Sequence, residues 1–235
     1  MELITNQKYW SLTLTIIISV IVFLVFSLLQ GLVLLYLSHI FPHSTHELLA
    51  YSNLGLISLI SACVSSLLLI AFIRIKNRDI TGYLNLSIPR LDISLIFMLV
   101  SFLLMFFGEL VSNFYPDLFE TEFAIKSYKN SSNLPLLYLG VVCFGPIFEE
   151  FVFRGFLFKG LERSFFGGHG AVFISSILFA LLHVQYGFLV LVFILFPLSM
   201  VLGYARLKSG SLLLPICIHM MNNLVTCLIT HFEVY

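Results

Sequence analysis

Residues 134–161, LPLLYLGVVCFGPIFEEFVFRGFLFKGL, read as one membrane-length helix with two adjacent acids and an arginine, Glu149, Glu150 and Arg154, in its interior. A helix that crosses lipid needs about 20 predominantly apolar residues, and this run supplies them around the charges. Each charge at the bilayer centre costs roughly 2.5–3.5 kcal/mol, so three unrelieved charges cost on the order of 10 kcal/mol. Something has to pair with them. Glu150 and Arg154 are four residues apart with the acid N-terminal, the better orientation for an ion pair on one helix face. Glu149 is then left over, pointing about 100° round the helix from Glu150. A carboxylate with no cation of its own in a dry site suits general-base activation of water. The competing structural reading is an ion pair beside a second Glu that snorkels to an interface.

Composition carries the membrane reading to the whole chain. Of 235 residues 60% are hydrophobic and 10% charged, against about 25% charged in ordinary soluble domains, so lipid has to be the solvent. Apolar runs at 9–39, 48–74, 91–114, 134–161, 170–187, 188–206 and 211–232 predict an all-α, polytopic transmembrane bundle of about seven membrane helices, within a range of six to eight. The first run exceeds the core of a secretion signal and reads as a retained anchor. Only Tyr186 and Gly187 separate the fifth and sixth runs, a tight turn or a break in one segment. With the N-terminus inside, Lys8, Arg74, Lys76, Arg78, Arg90, Lys159, Arg163, Arg206 and Lys208 fall on the cytoplasmic side. The loop 112–133, with Asp117, Glu120 and Glu122, reads as an outer loop with a short interfacial helix at Pro116 to Tyr128.

The chain divides into N-terminal membrane helices with their outer loop, 1–133, and a polar-bearing core, 134–235, within one integral membrane unit. The net charge of zero, with cations spread over loops, argues against nucleic acid as a partner. Cys63, Cys143, Cys217 and Cys227 lie in apolar runs without metal-type pairing and read as small core residues. His39, His43 and His46 belong to the first outer loop, and Glu109 lies close enough to the outer end of its span to reach an interface.

Two further spans carry polar residues. FALLH places Phe179 and His183 at i and i+4, and HMMNN places His219 and Asn223 at i and i+4, each pair on one helix face. At 1.5 Å per residue, Glu149 and His183 lie roughly 20 Å from the cytoplasmic ends, and His219 and Asn223 about 12 to 18 Å. Ionisable groups at a common depth on three helices mark a site around a cavity.

These residues resemble the CPBP intramembrane endopeptidases, the CAAX protease and bacteriocin-processing, or Abi, family. Its signature is EExxxR, FxxxH and HxxxN on three helices, matched here by Glu149, Glu150 and Arg154, by Phe179 and His183, and by His219 and Asn223. The resemblance covers 134–235 and implies a catalytic CPBP core there. It implies peptide-bond hydrolysis in which Glu149 activates water, His183 helps to hold it, and His219 and Asn223 form the oxyanion hole, with Glu150 and Arg154 in support. No cofactor is favoured. Two His and one Glu are also a catalytic zinc set, in which case Glu149, His183 and His219 would be the ligands.

The expected function is therefore an intramembrane endopeptidase, multi-pass in a plasma or inner membrane, with a membrane-associated protein or peptide as substrate and the lipid bilayer as surroundings. Two other classes compete. One is a non-catalytic membrane binding or immunity protein that uses the polar cluster to dock a partner helix. The other is an ion-coupled transporter, which calls for paired broken helices that the sequence does not display.

Overall fold

The computed structural model describes residues 9–115 and 122–234, and within them the chain is a helical bundle. Among the described residues six helices are long and apolar enough to cross a membrane: α1 (Leu12–Ile40), α3 (Leu54–Lys76), α5 (Leu91–Phe114), α7 (Leu134–Glu162), α9 (Phe188–Ser209) and α10 (Leu213–Val234). Four shorter helices join them: α2 (His46–Ser52), α4 (Ile80–Leu84), α6 (Glu122–Lys129) and α8 (Gly167–Leu181). The chain is an integral membrane protein of the expected polytopic type.

Two boundaries differ from expectation. The second apolar run is two helices, because Asn53 turns its side chain back onto the Leu49 carbonyl (3.1 Å) and the Ser52 hydroxyl (3.0 Å) and breaks the register between α2 and α3. The fifth helix, α8, stops after 15 residues, so it rises only about 22 Å, short of the roughly 30 Å of a hydrocarbon core. Beyond it lie one 3₁₀ turn, Val184–Tyr186, and Gly187 at φ +84°, a backbone conformation that glycine reaches without a steric cost. The weak boundary near Gly187 is therefore a true reversal. A short helix is observed in this loop as α6, and its expected beginning at 116–121 lies outside the described residues, as does Lys8.

The helix starts are built locally. Ser11, Thr45 and Asp79 each accept a backbone amide in the first turn of α1, α2 and α4, and Asn133 accepts the Leu136 amide at 3.0 Å to open α7. α7 is the central helix. Half of its apolar window is buried, against 11% for α5, which faces outward along most of its length. Phe148, Val152 and Phe156 of α7 pack on Ile18 and Val22 of α1, Ala62 and Leu69 of α3, Tyr83 of α4 and Ile216 of α10. On its N-terminal half α7 meets α3 backbone to backbone: a Cβ on Gly140 would overlap the Gly55 carbonyl, and one on Gly55 would overlap the Leu136–Leu137 peptide. Cys217 is exposed, and Cys63, Cys143 and Cys227 are half-buried, so the cysteines line helix surfaces rather than the core.

Candidate active site

The site begins with an irregularity in α7. Two stretches, Tyr138–Phe144 and Phe151–Leu157, are π-helical, and α-helical register resumes at Gly145 and at Phe158. Pro146 follows the first, and its missing N–H and its ring oppose a regular turn there. The Gly145 amide reaches back to the Gly140 carbonyl, and the Phe158 amide to the Phe153 carbonyl. Regular i→i−4 bonding would have used Val141 and Arg154 instead, so those two carbonyls lose their usual donors. Neither is left bare. Asn223 of α10 donates to the Val141 carbonyl at 2.9 Å, and Arg206 of α9 donates through Nε to the Arg154 carbonyl at 3.0 Å.

Glu149 and Glu150 lie between the two π stretches, at the end of a six-residue α-helical segment. The expected ion pair is present: Arg154 Nη1 donates to Glu150 Oε1 at 3.0 Å, with both side chains at 0% exposure. A buried pair holds its desolvation cost down only when further hydrogen bonds complete it. The Arg154 Nη2 donates to the Ser199 hydroxyl (2.5 Å) and carbonyl (3.0 Å), and the guanidinium lies 4.8 Å from the Phe179 ring centre. His219 Nδ1 is 3.0 Å from the same Glu150 Oε1. This oxygen already accepts from Arg154 and acts as acceptor again, so His219 Nδ1 carries a hydrogen.

Glu149 faces the other way. Its Oε2 lies 3.8 Å from His183 Nε2 and 3.8 Å from His219 Nε2, and no donor among the described residues reaches that buried oxygen. His183 is in the turn just past α8, its Nδ1 2.8 Å from the Phe179 carbonyl and its ring stacked on Phe179 with centres 4.5 Å apart. A carbonyl only accepts, so Nδ1 of His183 carries a hydrogen and its Nε2 offers a lone pair towards Glu149. Glu149, His183 and His219 thus converge from α7, the α8 turn and α10. Asn223 stands one turn beyond His219, with one amide hydrogen given to Val141.

The zinc alternative can be set against this geometry. The donor types suit the metal, and both imidazoles have their second nitrogen anchored, as ligating histidines do. The spacing is looser than zinc requires: donors at about 2.0–2.1 Å from a tetrahedral ion lie about 3.4 Å apart, against 3.8 Å here. Among the described residues no three His, Cys, Asp or Glu side chains are close enough to hold a metal ion. As the side chains stand, a bound zinc would have to draw Glu149 towards each imidazole by about 0.4 Å.

Three polar residues of this region were not legible as part of it. Arg206, expected among the inner-loop charges, is buried at 3% exposure within α9. Ser199, seven residues before it, receives Arg154. Asn222, beside Asn223, is buried and accepts the Ser101 hydroxyl of α5 at 2.9 Å, tying α10 to an otherwise peripheral helix. The available signal was an arginine and a serine two helical turns apart on one apolar span.

Residues 131–225 match the Rce1-like family, described as type II CAAX prenyl endopeptidase Rce1-like. The chain is similar to a membrane-embedded CAAX protease, MroQ, of Staphylococcus aureus (strain USA300), 32% identical over 95 residues that make up 38% of this chain and 37% of that protein. It is also similar to an uncharacterised 24.3 kDa protein of Escherichia coli, 33% identical over 94 residues, 39% of this chain and 43% of that one. The matched region spans about two fifths of the length of these curated relatives. No solved structure matches the chain significantly.

Proposed function

We infer, from a chain whose residues 131–225 match the Rce1-like family of type II CAAX prenyl endopeptidases, that it hydrolyses a peptide bond of a membrane-associated protein or peptide within the bilayer. The observation that carries this reading is the convergence of His183 Nε2 and His219 Nε2 on one buried Glu149 oxygen, 3.8 Å from each. That separation is too long for a direct hydrogen bond and suits one oxygen atom held between the groups.

In the proposed reaction a water gives one hydrogen bond to Glu149 and one to the His183 Nε2 lone pair, which leaves an oxygen lone pair aimed at the scissile carbonyl. As the oxygen attacks, Glu149 takes the proton, the carbonyl π bond opens, and negative charge develops on the carbonyl oxygen. Asn223 meets that oxygen with the amide hydrogen that Val141 does not use. His219 donates through Nε2 in its doubly protonated form, while its Nδ1 hydrogen stays on Glu150. Such donors in a dry site are worth roughly 3–4 kcal/mol each. Glu149 then passes its proton to the departing amine as the C–N bond breaks. Glu150 and Arg154 touch no substrate in this scheme and hold His219.

The N-terminus is assigned to the cytoplasm, because Lys76, Lys159 and Arg163 gather around Tyr9 and Trp10 at that end of the bundle. The test is cleavage of a reporter peptide library by detergent-purified protein, comparing wild type with Glu149→Ala and His219→Ala. Cutting by wild type that both substitutions abolish supports the protease. Cutting that survives Glu149→Ala sinks it, and ion flux in liposomes without any cleavage favours a transporter.

A further inference from the structure

The face of α9 towards α7 grips Arg154 at both ends. Ser199 and Arg206 are seven residues apart, close to two turns, and so share a helix side. Ser199 takes the Arg154 guanidinium on its hydroxyl and its carbonyl, while Arg206 donates to the Arg154 backbone carbonyl at 3.0 Å. Both are buried, at 0% and 3% exposure. Arg206 thereby replaces the amide that the π stretch Phe151–Leu157 withdrew from that carbonyl. A π stretch holds one residue more than the α-helical turn it replaces, so it returns to regular register by shifting one position, which turns one side about 100° against the other. Such a turn would rotate the segment that carries Glu149 and Glu150 against the part of α7 beyond Phe158, and Glu150 anchors His219.

On the endopeptidase reading above, we propose that Ser199 and Arg206 are positioning residues: they lock the wide turn of α7 in the register that keeps Glu149 aimed at His183 and His219. Neither touches the reacting atoms. Arg206 acts through the Arg154 backbone and Ser199 through its side chain.

The test compares wild type with Arg206→Gln, Arg206→Lys, Ser199→Ala and Glu149→Gln, each purified in detergent, for kcat and KM on the reporter peptide and for amide hydrogen exchange over residues 151–160. A misplacement of about 1 Å costs on the order of 10²-fold in rate. Arg206→Gln is therefore expected to lower kcat about 10- to 100-fold with KM within about 2-fold, and Ser199→Ala about 10-fold. Arg206→Lys keeps a donor for the carbonyl and recovers most of kcat. Exchange at 151–160 rises in Arg206→Gln and in Ser199→Ala. Wild-type kcat in both variants, or a loss that Lys fails to restore, overturns the proposal. If Arg206→Gln does not fold, Arg206→Lys and Ser199→Ala decide on the same readouts. Glu149→Gln separates the two levels: if it cuts as fast as wild type, the endopeptidase reading has failed, and the exchange data alone then judge the clamp, with unchanged exchange overturning it.

Discussion

Asn223 on α10 donates its side-chain amide to the Val141 carbonyl on α7 at 2.9 Å, at the point where α7 passes from π- to α-helical register. One side chain is thus a tie between the last helix and the central one, one turn beyond His219. Asn223→Asp keeps the shape and removes both amide hydrogens. We expect kcat to fall on the order of 10²–10³-fold and stability to fall by about 1–3 kcal/mol, since the Val141 carbonyl is orphaned. Turnover and thermal unfolding measured on the same preparation separate the roles: unchanged kcat removes Asn223 from the oxyanion hole, and unchanged stability removes the tie.

Glu150→Gln leaves the Arg154 guanidinium buried at 0% exposure without its counter-charge. Breaking one side of a buried pair costs roughly 3–5 kcal/mol, so the variant should unfold at a clearly lower temperature than Glu149→Gln, which breaks no ion pair with an arginine or lysine. Equal unfolding temperatures for the two would contradict the division of labour between the adjacent acids.

Gly140→Ala forces a methyl group into the Gly55 carbonyl, and neither backbone can yield cheaply. Overpacking of this kind costs about 1–3 kcal/mol. Gly31→Ala is the matched control, because nothing lies within 4 Å of the Cβ it would add. The prediction fails if both substitutions shift the unfolding temperature alike.

A strong chelator is expected to leave cleavage by wild type unchanged, with Glu149→Gln reducing it by about 10²-fold or more. Loss of activity on chelation with recovery on adding zinc would reassign Glu149, His183 and His219 as ligands, drawn together from their present 3.8 Å spacing.

Much of this protein was readable from composition because lipid is an unforgiving solvent. A segment that crosses it must be apolar for about 20 residues, so the six long helices announced themselves. The same penalty exposed Glu149, Glu150 and Arg154, whose charges have no reason to lie inside α7 unless something receives them. His183 was legible by its four-residue spacing from Phe179, although it sits just past the end of α8 in a turn rather than on a span. Arg206 was not legible, because an arginine at the end of an apolar run looks the same whether it reaches water or a neighbouring helix.

By itself the sequence determined the six long apolar segments, which acid pairs with Arg154, and which residue types meet at the candidate site, since each follows from hydrophobicity and helical spacing along one chain. Tertiary structure alone decided where α7 widens into π turns, which carbonyls that frees, and that Asn223 and Arg206 arrive from 82 and 52 residues away to receive them. The reason is physical: a register shift leaves composition and periodicity almost untouched, and a freed carbonyl is stable only where another helix brings a donor.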